Sequence, residues 1–332
     1  MSTRILSTGS YLPKARLTNA DLEKRVDTSD AWIRSRSGIS ERHVLAPEEA
    51  TSDLATRAAA DALESARLAP DDVDLIVVAT CTPDHMFPST AALVQRNLSP
   101  NEPIPAFDIN AACAGFVYGL ELTSKLLQPN GYQRILLIGA DALTPVTNYQ
   151  DRGTCVLFGD GAGAVVLEFE SQPTGDESGH GLVASALCAD GTYHELICVP
   201  AGGTRRPVDA EAIAERANFV QMNGPQTFKL AVQSMEQVAR DCLASASWKL
   251  TDVDHVFVHQ ANARIIDAVA DRLELPPARV HRNIEHTGNT SAASIPILLD
   301  EMNRADRLQR GDRILFLAFG SGLTWGAAAL VW

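Results

Sequence analysis

A cysteine with small neighbours is the first candidate for chemistry. Cys113 lies in the segment DINAACAGFVYGLE (108–121), among alanines and a glycine at the predicted start of a buried helix. A thiol at a helix start lies beside unpaired backbone N–H groups and the positive end of the helix dipole, which lower its pKa. Small neighbours leave room for an acyl group to reach the sulfur. The segment therefore predicts a nucleophile, while an inert core cysteine is the alternative that fits the same surroundings.

Two polar residues elsewhere in the chain extend this chemistry. His259 ends the apolar segment HVFVHQAN, and Asn289 lies in HTGNTSAAS, where glycine and hydroxyl residues indicate a turn into a helix. Ligands of open α/β sheets gather at the carboxyl ends of strands, which favours a site at His259. Asn289 could equally be a helix cap. Together, Cys113, His259 and Asn289 would form a nucleophile with two hydrogen-bond donors, a set that suits acyl transfer through a thioester and stabilisation of an enolate or oxyanion.

The chain repeats two phrases at nearly the same spacing. DVDLIVVATC (72–81) recurs as DVDHVFVHQA (252–261), and RILLIGADAL (134–143) recurs as RILFLAFGSG (313–322). The distance along the chain from first copy to second differs by a single position between the two pairs. Two pairs in the same order and at the same spacing indicate an internal duplication of about half the chain.

The duplication predicts which segments meet. Asn110, shortly before Cys113, precedes Asn289 by the same spacing that separates the two copies of RIL. We therefore expect the helix starts near Cys113 and Asn289 to face each other across a pseudo-twofold axis.

Each repeated unit alternates helices with strands. Residues 53–68 and 228–246 have the apolar spacing of helices, and each leads into an uncharged apolar strand, which predicts largely parallel sheets covered on both faces. We expect an α/β protein of two packed halves, 1–171 with the cysteine and 172–332 with the histidine and asparagine. The uncharged stretch 314–332 is predicted to form two buried strands joined by a tight connection rather than a membrane span.

Composition narrows the class of protein. The 332 residues carry a net charge of −13, which disfavours nucleic acid as a partner, and the six cysteines show neither a metal-binding spacing nor a disulfide ladder. With no signal peptide at its start, the chain is predicted to be cytoplasmic, with reduced thiols and no metal. The glycine-rich stretches 158–168 and 319–332 precede strands rather than helices, so they are not predicted to bind a dinucleotide, but their N–H groups could hold an oxyanion.

The segments NAACAGFVYGL, FGDGAGA, HQAN, GNTSAAS and GLTWG, in this order, resemble the β-ketoacyl-acyl-carrier-protein synthase III family of the thiolase superfamily. The resemblance runs from LPKARLTNADLEK to the last residue. It implies a thiolase-like duplicated five-layer α/β/α/β/α fold, usually a homodimer, that initiates type II fatty acid synthesis without a metal or redox cofactor. It also implies that acyl-CoA acylates Cys113, and that His259 and Asn289 support decarboxylation of malonyl-acyl-carrier protein, giving 3-ketoacyl-carrier protein, CoA and CO₂.

The resemblance assigns further residues. The backbone N–H groups of Cys113 and Ser321 would form the oxyanion hole, with Ser321 standing where similar proteins have glycine. CoA would bind at Thr28, Trp32, Arg36, Arg152, Asn262 and Arg264. Phe87, crossing from the other subunit, and Phe158 would border the acyl pocket, and the acidic carrier protein would dock on Lys229, Arg264 and Arg272. Asp271 stands where the family often has a second basic residue.

Other functions remain open from sequence. A synthase III-like acyltransferase or condensing enzyme of secondary metabolism is the nearest alternative. A cysteine hydrolase also uses Cys, His and Asn, and a non-catalytic paralogue could bind acyl-CoA or a carrier protein. A thiolase would need a second cysteine in GSGLTWG, and an elongating synthase would have histidine in place of Asn289.

Overall fold

The computed structural model describes residues 2–99, 101–170 and 180–332. The strands are β1 (Ser2–Tyr11), β2 (Ala15–Thr18), β3 (Glu41–Val44), β4 (Leu75–Ala79), β5 (Ala106–Ile109), β6 (Arg134–Ala142), β7 (Asp160–Glu170), β8 (Gly181–Ala189), β9 (Ile197–Cys198), β10 (Gln221–Met222), β11 (His255–Val258), β12 (Val280–His281), β13 (Arg313–Gly320) and β14 (Thr324–Val331). The helices are α1 (Asn19–Glu23), α2 (Asp30–Ser37), α3 (Thr51–Ala66), α4 (Thr90–Leu98), α5 (Gly115–Leu126), α6 (Ala210–Ala214), α7 (Gly224–Ala246), α8 (Ala263–Arg272), α9 (Ile284–Thr287) and α10 (Ser294–Arg304).

Two five-stranded sheets have the same internal order. The first reads β1-β7-β6-β4-β5 and the second, taken in the matching direction, β8-β14-β13-β11-β12. In each sheet three neighbouring strands are parallel (β6, β4 and β5; β13, β11 and β12), and the other two pairings are antiparallel. The duplication predicted from the repeats is confirmed.

The prediction of largely parallel sheets is wrong for half of the strand pairings. β7 runs antiparallel to β6 and to β1, and β14 runs antiparallel to β13 and to β8. Only residues 321–323 separate β13 from β14. Such a connection is too short for the helical crossover that joins parallel neighbours. The two strands predicted for residues 314–332 are therefore present as an antiparallel pair.

A backbone-to-carboxylate bond marks the repeated phrase in both halves. Asp74 lies just before β4, and its carboxylate accepts from the N–H of Arg134, the first residue of β6, at 2.9 Å. Asp254, before β11, accepts in the same way from Arg313, the first residue of β13, also at 2.9 Å. The identical bond explains why both phrases carry an aspartate immediately before the strand.

The helices form three layers around the two sheets. α5 and α10 lie between the sheets, α3 packs on the outer face of the first sheet and α7 on the outer face of the second. In the central layer Phe116 of α5 meets Phe316 of β13 edge-on, with ring centroids 6.3 Å apart, and Phe257 of β11 lies beside them. Burying each such ring contributes about 1.5–3 kcal/mol, so the central layer joins the halves into one core.

The boundary predicted between residues 171 and 172 lies outside the described residues. The six cysteines are free thiols. No helix in the described ranges is long and apolar enough to cross a membrane.

Candidate active site

Cys113 lies in a short turn rather than in the helix that follows it. β5 ends at Ile109, residues Ala112–Ala114 form a 3₁₀ turn, and α5 begins at Gly115. The side-chain oxygen of Asn110 accepts from the N–H of Ala112 at 3.1 Å, and Ala112 has a positive φ of 45°. This local bond supports the unusual backbone that brings Cys113 to the end of the sheet.

The thiol of Cys113 does not have the low pKa that its position predicts from sequence. The pKa of Cys113 is raised to about 12, mainly by burial and also by the carboxylate of Asp141, although a hydrogen bond with Ser291 lowers it. The prediction considered only the helix start and missed the burial of the sulfur between the two halves. Cys113 is therefore protonated at rest, and its proton must leave as the thiol reacts.

The end of β13 lies directly on the backbone of Cys113. A Cβ atom placed on Gly320 would be 2.6 Å from the nitrogen of Cys113, so only glycine permits this approach. Among the described residues, the Cys113 N–H makes no hydrogen bond outside its own turn and its own side chain. Ser321 follows, and its hydroxyl donates to the carbonyl of Ile197 at 2.5 Å, so this side chain has room and a partner.

Asn289 is held by its backbone on both sides. Its N–H donates to the carbonyl of Leu157 at 2.9 Å, and its carbonyl accepts from Gly159 at 3.0 Å, which aligns it beside Phe158. The side-chain oxygen accepts from the N–H of Ser291 at 2.9 Å. This bond orients the amide, and in the described part of the chain its NH₂ group has no acceptor.

The turn after Asn289 meets the turn that holds Cys113, as the duplication predicts. Residues Ser291–Ala293 form a 3₁₀ turn in contact with Ala112–Ala114. The hydroxyl of Ser291 lies 3.8 Å from the sulfur of Cys81, and the same hydroxyl lowers the pKa of the Cys113 thiol. Residues from both halves therefore surround the nucleophilic sulfur.

His259 follows β11 and is buried at 2% exposure. Its backbone N–H donates to the carbonyl of Leu317 at 2.7 Å, and its Nδ1 lies 2.7 Å from the hydroxyl oxygen of Ser294. Burial lowers the pKa of His259 from 6.5 to about 3, so the imidazole is neutral at physiological pH. Nε2 has no partner among the residues that the structure describes.

Asp141 is a member of the site that sequence reasoning missed. One carboxylate oxygen accepts from the backbone N–H of Cys81 and from the backbone N–H and the hydroxyl of Thr82. The other oxygen accepts from the backbone N–H of Ala292 at 3.1 Å. The side chain thus ties the loop after β4 to the turn after Asn289. A signal was present: Asp141 lies in the repeated phrase RILLIGADAL, opposite Gly320 in the second copy. Ser291 and Ser294 were likewise missed, although both lie in the segment GNTSAAS.

Trp32 and Arg152, two of the residues that the resemblance assigns to CoA, are in contact. The guanidinium of Arg152 lies over the ring of Trp32, 4.8 Å from the ring centroid, and donates to the carbonyl of Asp27 at 2.9 Å. The hydroxyl oxygen of Thr28 is buried and has no hydrogen-bond partner within the described ranges. A cationic group on an indole face is suited to holding a further flat ring.

The remaining CoA candidates continue the same surface. Asn262 donates from its side chain to the carbonyl of Arg36 at 3.0 Å and accepts from the N–H of Arg264 at 2.9 Å, which caps α8. Gly38, which ends α2, packs so closely on Ala263 that a Cβ would lie 2.5 Å from the Ala263 methyl. These contacts hold α2 against the first turn of α8, so the six predicted residues lie on adjoining elements.

The two predicted acyl-pocket residues lie in different environments. Phe158 is buried beside Asn289, whereas Phe87 is 83% exposed and stands next to the 70% exposed Met86. Within one chain, the Phe87 side chain is therefore hardly packed against other residues.

The predicted docking residues differ in whether their charges are paired within the chain. Lys229 and Arg264 are exposed, and the guanidinium of Arg264 lies 5.8 Å from the ring centroid of Phe228, next to Lys229. Arg272 forms an ion pair with Glu236 at 2.8 Å. Its charge is thus partly neutralised within the chain. No group of three or more His, Cys, Asp or Glu side chains in the described residues is arranged to hold a metal ion.

Known proteins resemble this chain over its whole length. The sequence model of 3-oxoacyl-[acyl-carrier-protein (ACP)] synthase III matches residues 107–191, and that of the family's C-terminal region matches residues 243–332. A β-ketoacyl-[acyl-carrier-protein] synthase III of Caldanaerobacter subterraneus is 47% identical over 328 residues, which cover 99% of this chain and 97% of the relative. The crystal structure of 3-oxoacyl-[acyl-carrier-protein] synthase III from Aquifex aeolicus is 44% identical, with a TM-score of 0.90 over 99% of this chain and 100% of the other. The Pseudomonas aeruginosa counterpart is 41% identical, with a TM-score of 0.89 over 100% and 98% of the two chains.

These matches first define a class: the protein is an acyltransferase with the thiolase fold, and it catalyses a condensation. Within that class the chain belongs to the β-ketoacyl-[acyl-carrier-protein] synthase III family, the condensing enzymes that initiate fatty acid synthesis. The resemblance first noticed in five short segments is confirmed.

Proposed function

We propose that this protein transfers an acyl group from acyl-CoA to Cys113 and then condenses it with malonyl-acyl-carrier protein, with His259 and Asn289 supporting the second step. The contact between the turn at Cys113 and the turn after Asn289 carries the proposal. Two further observations support it: the outer nitrogen of the neutral His259 imidazole and that of the Asn289 amide have no partner in the described structure.

In the first half-reaction the sulfur of Cys113 attacks the thioester carbon of acyl-CoA. The S–H proton is released as the sulfur bonds to carbon, and the departing CoA thiolate takes up a proton, so the step is neutral overall. The carbonyl oxygen becomes negative in the tetrahedral intermediate and accepts from the backbone N–H groups of Cys113 and Ser321. Two preorganised donors of this kind lower the barrier most where charge develops.

In the second half-reaction the bond between the malonyl methylene and its carboxylate breaks. The electron pair enters the thioester as an enolate, whose oxygen accepts from Nε2–H of His259 and from the NH₂ group of Asn289. The enolate carbon then attacks the acyl-Cys113 carbonyl, and the Cys113 thiolate leaves and is reprotonated. Because the carboxylate supplies the electrons, the reaction as written uses no metal or redox cofactor, and it yields 3-ketoacyl-carrier protein and CO₂.

Substrate entry uses the surface of α2 and α8. The adenine of CoA stacks at Trp32 and Arg152, with Thr28 and Asn262 as polar contacts and Arg36 and Arg264 on the phosphates. The acidic carrier protein docks nearby on Lys229 and Arg264, with a smaller contribution from Arg272 because of its ion pair with Glu236.

The working protein is a cytoplasmic homodimer with one site per chain. The exposure of Phe87 supports this proposal, because Phe87 and its neighbour Met86 are 83% and 70% exposed and together form an apolar patch that a partner can cover. In the dimer Phe87 closes the acyl pocket of the other subunit, opposite Phe158. Each subunit consists of the two duplicated halves, 1–171 and 172–332.

Intact-protein mass spectrometry tests the proposal. The enzyme is mixed with a panel of acyl-CoAs, the adduct is mapped by peptide analysis, and malonyl-carrier protein is then added. We expect one acyl mass on Cys113 that disappears as 3-ketoacyl-carrier protein forms. Cys198, a second half-buried thiol with a raised pKa, serves as an internal control and should remain unmodified.

Two results would contradict the proposal. Absence of an adduct with every acyl-CoA would favour a binding protein, and loss of the adduct as free acid without malonyl-carrier protein would favour a hydrolase. The identity of the primer that reacts also separates bulk fatty acid synthesis from a specialised acyl product.

A further inference from the structure

A serine hydroxyl touches the buried nitrogen of His259. Ser294 is the first residue of α10, and its oxygen lies 2.7 Å from Nδ1 of His259 and 3.3 Å from the backbone nitrogen of Gln260. Both Ser294 and His259 are 2% exposed, so water does not replace either contact. The orientation of this one hydroxyl therefore decides which nitrogen of His259 carries the proton.

The direction of the hydroxyl follows from its partners. The backbone N–H of Gln260 can only donate, so it occupies a lone pair of the serine oxygen. In the described part of the chain the remaining partner of Ser294 is Nδ1 of His259. If Nδ1 carried a hydrogen, the serine O–H would be buried without an acceptor, which is unfavourable. The hydroxyl therefore donates to Nδ1, and the single hydrogen of the neutral imidazole is on Nε2.

We propose that Ser294 is a positioning residue that holds His259 in the Nε2–H tautomer and aims that N–H at the thioester oxygen of the malonyl group. The inference rests on the proposed function, because it concerns the donor for the enolate. A neutral histidine has one N–H to offer. Only the Nε2–H tautomer presents it at the nitrogen that has no partner among the described residues, whereas the other tautomer would present a lone pair to the negative oxygen and repel it.

Ser294 should affect only one of the two half-reactions. Cys113 acylation uses the backbone donors of Cys113 and Ser321, which Ser294 does not touch. Decarboxylation uses His259. Loss of the hydroxyl should therefore slow condensation and leave acylation unchanged, a division that general loss of packing would not produce.

The test compares Ser294→Ala with Ser294→Thr, which restores a hydroxyl, and with Thr123→Ala as a matched control. Thr123 is fully buried in α5 and donates its hydroxyl to the carbonyl of Gly119 at 2.6 Å, away from His259. Each full-length variant is acylated, mixed with malonyl-carrier protein and followed through a single turnover. For Ser294→Ala we expect kcat for condensation to fall roughly 10- to 100-fold, as for other residues that orient a functional histidine. The KM for malonyl-carrier protein and the rate of acylation should be unchanged. Thr123→Ala should change neither rate, and Ser294→Thr should recover most of the loss.

A spectroscopic measurement tests the tautomer directly. In ¹⁵N-histidine-labelled wild-type enzyme, the His259 ring should show a protonated Nε2 and an unprotonated Nδ1, and Ser294→Ala should show a mixture. A protonated Nδ1 in the wild type would overturn the inference, as would an unchanged condensation rate in Ser294→Ala or an equal loss of acylation. These readouts are distinct from failure of the proposed function, which would appear as a wild-type enzyme that forms no acyl adduct.

Discussion

The two halves of the molecule build the same turn and use it differently. In the first half the Asn110 side chain accepts from Ala112, and in the second the Asn289 side chain accepts from Ser291, at 3.1 and 2.9 Å. Ala112 and Ser291 hold equivalent positions in the two copies, and both have positive φ values, 45° and 52°. The next residue is Cys113 in one turn and alanine in the other. The same backbone conformation thus holds the proposed nucleophile in one half, and in the other half it holds the amide of Asn289.

The environment of one N–H group separates the turns further. In the second half the N–H of Ala292 donates to the carboxylate of Asp141. The equivalent N–H belongs to Cys113, and the residue equivalent to Asp141 is Gly320, which has no side chain to accept it. The same donor therefore stabilises the structure in one half, and in the other half it is the one that the proposed mechanism uses in the oxyanion hole.

The positions of His259 and Ser294 show the same divergence. Their equivalents in the first half are Ala79 and Gly115, and a Cβ placed on Gly115 would lie 3.1 Å from the Ala79 methyl. That half closes the space by tight packing. The second half fills it with an imidazole and a hydroxyl that orients it.

The largest expected effect comes from replacing Cys113 with the residue that stands at the equivalent position of the second turn, an alanine. Cys113→Ala gives the first half the residue found at Ala292. We expect loss of the acyl-enzyme in mass spectrometry, and peptide mapping should show that the nearby thiol of Cys81, which lies beside Ser291, stays unmodified. The donors His259 and Asn289 are unchanged, so slow decarboxylation of malonyl-carrier protein, measured as CO₂ release, should persist. Normal acylation of this variant would remove Cys113 from the mechanism.

Removal of a second-half donor should produce the next largest effect. His259→Ala and Asn289→Ala each take away one hydrogen bond to the enolate, and we expect condensation to fall about 100- to 1,000-fold, as when an oxyanion donor is removed. Acylation of Cys113 should continue near the wild-type rate. Rapid-quench measurements of the two half-reactions check this, and a defect in acylation alone would mean that the roles of the halves are reversed.

Gly320→Ala tests the open donor. The new methyl would lie 2.6 Å from the Cys113 nitrogen, so β13 or the turn must move. We expect the acylation rate to fall roughly 100-fold and the free energy of unfolding to fall by about 1–3 kcal/mol, the usual effect of overpacking a close contact. Acylation kinetics and urea unfolding measure the two effects. Gly203→Ala, where no atom lies within 4 Å of the added methyl and φ is not positive, is the control for adding a methyl to a glycine.

The equivalent residues Asn110 and Asn289 should differ in how much their replacement by alanine reduces activity. Asn110→Ala removes a bond that only supports the backbone at Ala112, so we expect at most about a tenfold loss in acylation, in line with a single hydrogen bond of about 0.5–1.5 kcal/mol. Asn289→Ala should reduce the condensation rate by much more than tenfold. Equal defects would show that Asn289, like Asn110, acts mainly through the turn.

The effect that is smallest near neutral pH concerns the protonation of His259. His259 has its pKa lowered to about 3 by burial, so between pH 6.5 and pH 3 the unfolded chain binds a proton that the native state does not. The contribution of His259 to stability is therefore complete above pH 6.5 and is lost as the pH falls. Relative to His259→Gln, the wild type should lose about 1.4 kcal/mol per pH unit below pH 6.5 in urea titrations. Parallel pH curves for the two proteins would show that His259 titrates normally.

Sequence patterns predicted the parts that depend on local order. The repeated phrases located β4, β11, β6 and β13, and the spacing of Asn110 and Asn289 predicted the facing turns. The antiparallel β6–β7 pairing was not predicted, because buried strands of both kinds are uniformly apolar. The orientation of His259 by Ser294 was also missed, since it depends on how α10 packs against β11 across 35 residues. Burial of the Cys113 thiol depends in the same way on the assembled halves.

The contact between the two turns has a consequence for ancestry. A protein made from two identical copies of one half would place both turns at its twofold axis and would own a single central cavity with every group present twice. In such an assembly, a mutation that improves the nucleophile also changes the symmetry-equivalent residue of the other copy. Fusion of the copies into one chain removed that constraint, and the pairs Cys113 and Ala292, Gly320 and Asp141, and His259 and Ala79 record how each member then specialised.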